Sequence, residues 1–575
     1  MVRQTLKRIT TQIRVLPTVA YERITAPVQG LHQAAYVLAA LTLASQALAL
    51  LRDRTFAHTF GAGQTLDIYY AAFRIPDLVF AVVASLVSAY VIIPRITGMD
   101  KEETRRLLSE SATFLFGVGG LVCLALAFFM PQFLAFLYPD LAASPAQGEF
   151  IMLARILLLQ PILLGLSGIL GSVTQVNRRF ALFALSPVLY NLGIILGTVY
   201  LYPRFGLPGI GAGVVIGALA YLMVNIPVLI EGGVVPVLRF PRLSRMLPIV
   251  RDSVPRSLAL GMNSITALAL TAIASRIGTG SVSVFTLAGN LEAVPLALIG
   301  SSYAIAAFPA LSAASALEKR GEFTHILSAS ARHIILWSLI ALGLITVLRA
   351  HVVRVILGTG AFDWDATRLT AALLVVLAVG LVADALKLLF SRALYAARQS
   401  WRPFLYQLAA GGLTVFLALQ FLAMPQGGMP AALASLLRVG DISETSILLL
   451  AFASTIGQLF LLVLSLVALR NIAPGLSRSL VRPCIDGSVA AIAGAAAAYT
   501  SLALLGGIAP LTTLVSVFAQ GFTAGVVGLV ACAAALYLMG NEEFAVITRV
   551  VGKLLRGRKE PSQILSPSAE EPIRP

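Results

Sequence analysis

Long apolar blocks, each of about 20 residues and so able to cross a bilayer's hydrocarbon core as a helix, follow one another along almost the whole chain. They fall near 32–51, 67–93, 112–130, 150–172, 181–202, 208–230, 257–277, 283–309, 332–349, 370–391, 404–423, 446–469, 485–505 and 512–539. Lipid offers no partner to backbone N–H and C=O groups, so each block must satisfy them within itself, as a helix. The short alternating segments of a membrane β-barrel are absent from the sequence. Charged residues make up only 12% of the 575, too few to cover a soluble protein of this length. The expected fold is an all-α polytopic membrane protein of about fourteen transmembrane helices.

The formal net charge is +16. In a membrane protein such an excess belongs to cytoplasmic loops. With the N-terminus inside, 31 of the 42 Lys and Arg residues fall on the cytoplasmic side and 8 on the other, and Arg74, Arg155 and Lys387 lie within spans. This bias predicts that both termini are cytoplasmic, and no nucleic-acid partner is expected. Cys123, Cys484 and Cys532 lie in apolar stretches with no CxxC spacing, so neither a disulfide nor a metal site is expected. The histidines form no HExxH, and no P-loop is present. No cofactor is expected, and loops this short leave no room for a catalytic domain, so the chain reads as a non-enzyme.

The predicted organisation is a basic cytoplasmic segment at 1–31, helices 1–6 as an N-lobe at 32–230, and a cytoplasmic linker at 231–256. Helices 7–12 follow as a C-lobe at 257–469, then helices 13–14 at 485–539 and a basic cytoplasmic tail at 540–575. The first segment lacks a signal peptide's compact apolar core and reads as a cytoplasmic or interfacial stretch. The tail reads as disordered after about Lys559. The longest external loop is 424–445, to which no role attaches.

Two halves of the sequence echo each other. Gly61–Gly63 precedes Pro76 and Pro94, and Gly278–Gly280 precedes Pro295 and Pro309, each time with a basic loop following. Ser172–Phe180 and Ser391–Phe404 repeat at a similar offset. The offset spans six helices, an even number, so matched helices run in the same direction. Two six-helix lobes related by a pseudo-twofold axis along the membrane normal are expected, with a substrate site between them. Pro76, Pro161, Pro187 and Pro295 fall inside spans and predict bends there.

A charge at the bilayer centre costs at least ~2.5–3.5 kcal/mol, so it faces a cavity or a partner. Asp67 and Arg74 are seven apart and share a helix face; Arg74 and Asp77 are three apart and in reach of a local pair. Asp384 and Lys387, also three apart, read as an intrahelical pair. Arg155 fits cavity lining and inter-helix pairing equally well. Arg52 and Arg74 are the leading candidates for contact with an anionic head group, set against a purely structural role for each.

The stretch LLRDRTFAHTFGAGQTLDIYYAAFRIPDLVFAVVASLVSAYVIIP (Leu50–Pro94) resembles the first two helices of the MurJ/MviN family. Leu153–Ile195 resembles its fourth and fifth helices, and Gly278–Ser312 its eighth. The resemblance implies the fold of the multidrug/oligosaccharidyl-lipid/polysaccharide exporters and a place in the bacterial plasma (inner) membrane. It implies translocation of lipid II, the undecaprenyl-pyrophosphate-linked peptidoglycan precursor, from inner to outer leaflet by alternating access. The implied partners are that lipid-linked anion, membrane lipid and cell-wall synthesis proteins. Arg52, Asp53, Asp67, Arg74 and Arg155 match family positions, whereas Gln46, Phe80, Ser85 and Asn290 replace charged residues usual there. The candidate substrate-binding set is thus Arg52, Asp67, Arg74, Arg155, Asn290 and Glu292, near Asn290. The thinned cation set admits two alternatives: another lipid-linked saccharide as cargo, or a transport-inactive scaffold for wall synthesis.

Overall fold

The computed structural model describes residues 31–424, 428–506 and 513–545. Expectations for the N-terminal segment and for the tail beyond 545 lie outside the described residues. The main helices are α1 (Leu31–Phe60), α2 (Gln64–Ile96), α3 (Lys101–Leu137), α4 (Gln147–Val176), α5 (Ala181–Phe205), α6 (Leu207–Gly232) and α7 (Leu243–Ala274). They continue with α8 (Ser281–Ala316), α9 (Arg320–Ile356), α10 (Trp364–Ala396), α11 (Trp401–Leu422), α12 (Ile447–Leu469), α13 (Leu476–Gly506) and α14 (Leu514–Leu538). Among the described residues 13 helices, α2 to α14, are long and apolar enough to cross a membrane, and α1 is a further helix of 30 residues. The chain is an all-α polytopic membrane protein.

Several helices outrun their apolar blocks. α3 starts at Lys101 rather than near 112, capped by the Asp100 carboxylate, which accepts the Glu103 N–H at 2.6 Å. Its first turns carry the Arg106–Glu102 pair at 3.0 Å, four residues apart. Hydropathy marks only the stretch that lipid surrounds; the backbone ladder propagates past it wherever such pairs support another turn.

α1 to α6 form one bundle, in which α1 lies along α5, α5 along α6, and α4 touches α2, α3 and α6. α7 to α12 form a second around α10, which packs on α8, α9 and α12. α13 and α14 pack on each other and on the outside of α9. The bundles meet where α2 runs beside α7 and the start of α8. Outer faces are apolar, as lipid requires: Phe128, Phe136, Ile492 and Leu538 are all exposed.

The two helices that carry the Gly and Pro echoes, α2 and α8, are both interrupted, in different ways. α2 contains Pro76 and tightens into a 3-10 turn at Ala84–Val87. α8 contains Pro295 and passes into a π-helical turn at Leu296–Ser301. A proline deletes one ladder hydrogen bond and weakens the turn around it, which fits the π-helical turn directly after Pro295; the 3-10 turn of α2 begins eight residues beyond Pro76, with regular helix between.

α5 and α6 approach closely through glycine. A Cβ on Gly197 would lie 2.6 Å from the Gly213 Cα, and one on Gly213 would lie 2.8 Å from the Gly193 carbonyl oxygen. Small-residue faces let helices pack in lipid, where no hydrophobic force joins them. Gly213→Ala is therefore expected to cost about 1–3 kcal/mol by overpacking. A lowered midpoint of thermal unfolding in detergent checks this.

The loop expected at 424–445 holds a short helix, Met429–Leu436. It is tied down by Arg368, whose Nη1 and Nη2 donate to the two Asp441 carboxylate oxygens at 2.6 and 2.5 Å. This grip holds the Asp441 carboxyl below its ordinary range.

Candidate functional site

The polar centre lies where the bundles meet. Arg52, near the end of α1, donates through Nε and Nη2 to Asp53 Oδ1 at 3.0 and 2.8 Å, and through Nη1 to Asn191 Oδ1 on α5 at 3.1 Å. The other Asp53 oxygen accepts from Asn290 Nδ2 on α8 at 3.0 Å. Asn191–Arg52–Asp53–Asn290 is thus one chain of hydrogen bonds crossing from lobe to lobe. Asp53 is 2% exposed, yet the neighbouring arginine side chain keeps 20% of its surface accessible. The Arg52 side chain thus stays partly accessible beside a buried carboxylate.

Arg74 on α2 also reaches across. Its Nε donates to Thr271 Oγ1 on α7 at 2.8 Å and its Nη2 to Thr286 Oγ1 on α8 at 3.4 Å. Its guanidinium forms no ion pair within 4 Å with Asp77, the local partner that the spacing suggested, although it remains a neighbouring charge, and Gln160 of α4 also lies near that carboxylate. Arg52 and Arg74 therefore lie along the same seam, Arg74 held by neutral hydroxyls and Arg52 by one buried carboxylate and a neutral amide.

Asp67, expected in the head-group set, is held here at the start of α8. Its Oδ2 accepts the Gly280 N–H at 2.6 Å, and its Oδ1 accepts the Ser283 N–H at 2.8 Å and the Ser283 hydroxyl at 2.5 Å. A carboxylate is favoured at a helix N-terminus, where N–H groups lack intrahelical partners. With both oxygens engaged and the side chain 1% exposed, it joins α2 to the start of α8. Asp67→Ala strands these donors, and we expect it to weaken closure of this end by about 1.5–3 kcal/mol. Spin-label distances between the lobes check that shift.

Glu292 and Arg155 also depart from the expected set. Glu292 is 8% exposed and sits near Asp384 and Lys387 of α10 rather than beside Asn290's contact with Asp53. Two residues apart on a helix point to different faces, which is why neighbours in sequence part here. Arg155 has an exposed side chain whose Nε donates to the Ala127 carbonyl of α3 at 2.9 Å, outside the network that holds Arg52. Of the two readings its position allowed, the inter-helix contact is the one formed. Lys387 and Asp384 pair at 2.6 Å, and Lys387 also donates to Gln458 Oε1 on α12 at 3.2 Å.

One end of the seam is sealed. Arg54 Nη1 donates to the Val355 carbonyl at 2.5 Å, and the Ala361 N–H to the His58 carbonyl at 3.0 Å. Gly61 and Gly280 both have positive φ, and a Cβ on either would strike a backbone carbonyl of the opposite lobe, Ala361 and Ala62 respectively. Toward the other end, which carries Arg95, Arg179, Arg242, Lys319 and Arg402, the lobes meet along α2 and α7, for example through Arg95–Asp252 at 2.7 Å and Ser85–Ser257 at 2.7 Å. There α1 rests on its own lobe, and residues 42–44 are exposed. The second half of α8, from Ser302, packs within its own lobe on α9 and α10. At the basic end α1 and the second half of α8 thus pack mainly within their own lobes.

Sequence reasoning missed Asn191, Thr271, Thr286 and Gln458. Each is an uncharged polar residue in an apolar span, a signal too common to single out.

Two helical bundles around a polar seam, shut at one end, define a two-lobed membrane transporter. The sequence profile of the family described as lipid II flippase MurJ matches residues 56–437. The chain belongs to that family. It is 26% identical over 404 residues to the lipid II flippase MurJ of Burkholderia cenocepacia, covering 67% of this chain and 77% of that one. It is 27% identical over 401 residues to the probable lipid II flippase MurJ of Thermotoga maritima, covering 68% and 80%. Among solved structures, a lipid II flippase MurJ in an inward closed conformation superposes with a TM-score of 0.69 at 18% identity, covering 88% of this chain and 99% of that one. An inward-facing multidrug resistance MATE family transporter gives 0.61 at 16% identity, covering 75% and 96%. These structural likenesses concern the fold.

Proposed function

We propose that this protein moves lipid II from the inner to the outer leaflet of the bacterial plasma membrane by alternating access, with both termini cytoplasmic. The observation that carries the reading is a pair of guanidiniums, Arg52 and Arg74, in a seam sealed at the end away from the basic loops. The excess of Lys and Arg assigns that basic end to the cytoplasm. A pyrophosphate head enters between α1 and α8 while its prenyl chain stays in lipid. Arg52 exchanges Asp53 and Asn191, and Arg74 exchanges its threonines, for phosphate oxygens. Release then needs the Asp67–α8 latch to open as the basic end closes. An inside-negative potential favours outward passage of the anion by ~2.3 kcal/mol per charge per 100 mV.

The decisive experiment is rescue of wall synthesis in a bacterium whose own lipid II flippase is depleted. Growth restored by the well-expressed protein supports the assignment; lysis despite correct insertion overturns it. A second reading, another lipid-linked saccharide as cargo, draws on the exposed Phe80 ring and on Gln46 and Asn290, all uncharged where relatives usually carry arginine. Fewer cations suit a head group with less charge than a pyrophosphate. Lysis combined with flipping of a singly charged lipid-linked sugar in proteoliposomes would select it.

A further inference from the structure

The C-lobe holds a buried charge cluster that head-group binding does not use. Lys387 and Asp384 of α10 pair at 2.6 Å, with side chains 17% and 14% exposed, and Gln458 of α12 takes a second Lys387 hydrogen bond at 3.2 Å. Glu292 lies on α8, which packs on α10, within electrostatic range of this pair; it is 8% exposed, and its Oε1 has no hydrogen-bond partner among the described residues. One ammonium therefore serves two carboxyl groups, and it is committed to Asp384.

We propose that Glu292 is a proton-binding site whose loading and release couple the movement of α8 to the transmembrane proton gradient. The inference deepens the flippase reading, and only its transport arm rests on that reading. With a proton on Glu292 the cluster is neutral, since Lys387 balances Asp384. Without it, one negative charge is left uncompensated away from water, which a protein relieves by regrouping its partners. The available regrouping is a shift of Lys387 toward Glu292, drawing α8 onto α10. The proton comes from bulk water on one side and returns to it on the other, and no bond other than the carboxyl O–H forms or breaks.

The surroundings fit a proton better than a metal ion. An ammonium already occupies the cluster, and no group of three His, Cys, Asp or Glu side chains poised for a metal occurs among the described residues. Other charged groups around α8 have partners of their own, among them Arg392 of α10, whose Nη1 donates to the Ser301 carbonyl at 3.4 Å. Asp67 holds Gly280 and Ser283, Arg74 holds Thr271 and Thr286, and Asp53 holds Arg52 and Asn290. α9, packed on the π-helical turn, sets His333 in a stack against Tyr303. α12 brings Gln458, which is neutral. Position adds to the argument: Glu292 stands three residues before Pro295, where α8 gives way to the π-helical turn at Leu296–Ser301. A charge change there acts beside the π-helical turn of α8.

The test uses the full chain in lipid nanodiscs, titrated while infrared difference spectra follow the protonated-carboxyl C=O band. We expect a titrating band that Glu292→Gln removes, that Glu292→Asp keeps at a shifted frequency, and that Asp384→Asn leaves in place. A band retained in Glu292→Gln overturns the proposal, as does a wild-type spectrum with no titrating carboxyl. In proteoliposomes, flipping of lipid II should respond to an imposed pH gradient in the wild type and lose that response in Glu292→Gln. A wild type that titrates but does not flip lipid II rejects the cargo and keeps the proton site.

Discussion

Replacing Arg52 and Arg74 together by alanine is expected to lower affinity for a pyrophosphate-linked lipid by about 100- to 10,000-fold. Each guanidinium offers charge-assisted hydrogen bonds worth ~1.5–3 kcal/mol, and two such losses give about 3–6 kcal/mol. Binding of lipid II to the purified protein in nanodiscs measures this directly. Arg52→Ala alone also strands Asp53, a carboxylate 2% exposed, with Asn290 as its remaining partner. Part of any loss would then be misfolding rather than missing contact. The control is Arg52→Gln combined with Asp53→Asn, which removes both charges and keeps the shape. If that variant unfolds at the wild-type temperature and still binds lipid II as the wild type does, Arg52 is not a head-group ligand.

Gly280→Val should hold the sealed end of the seam open. The glycine has φ +87, a region in which a β-branched residue is strained by about 1–3 kcal/mol. Its new Cβ would also meet the Ala62 carbonyl of the other lobe, and its own N–H is one of the three donors to Asp67. Strain, overlap and a weakened latch together disfavour closure by about 4 kcal/mol or more, or roughly 1,000-fold in population. A cysteine at Ala62, in a background with Cys123, Cys484 and Cys532 changed to serine, reports the result through a membrane-impermeant thiol reagent applied outside. We expect fast labelling in Gly280→Val and slow labelling in its parent, together with loss of transport. Equal, slow labelling would mean that this contact does not set the closed state.

Much of the architecture was legible because the bilayer imposes it. Helix number, the basic end and the interruption of α8 after Pro295 follow from local rules: apolar length, loop charge and a missing backbone donor. The Asp384–Lys387 pair is local too, one helical turn apart on one helix, and spacing was enough to find it. Helix ends were less legible, since a run such as Lys101–Ser111 is polar by hydropathy yet helical through its cap and ion pair.

The amino-acid order alone determined that this chain crosses the membrane many times, and which charges had to be accommodated inside. Only the folded arrangement decided their partners. Asp67 and Arg74 share a helix face, yet one caps the start of α8 and the other meets Thr271 and Thr286; Glu292 lies within electrostatic range of the α10 pair. The reason is physical: a charge in lipid must find a counterpart, but which counterpart depends on how helices from distant parts of the chain rotate and lean together, and hydropathy carries no record of that rotation.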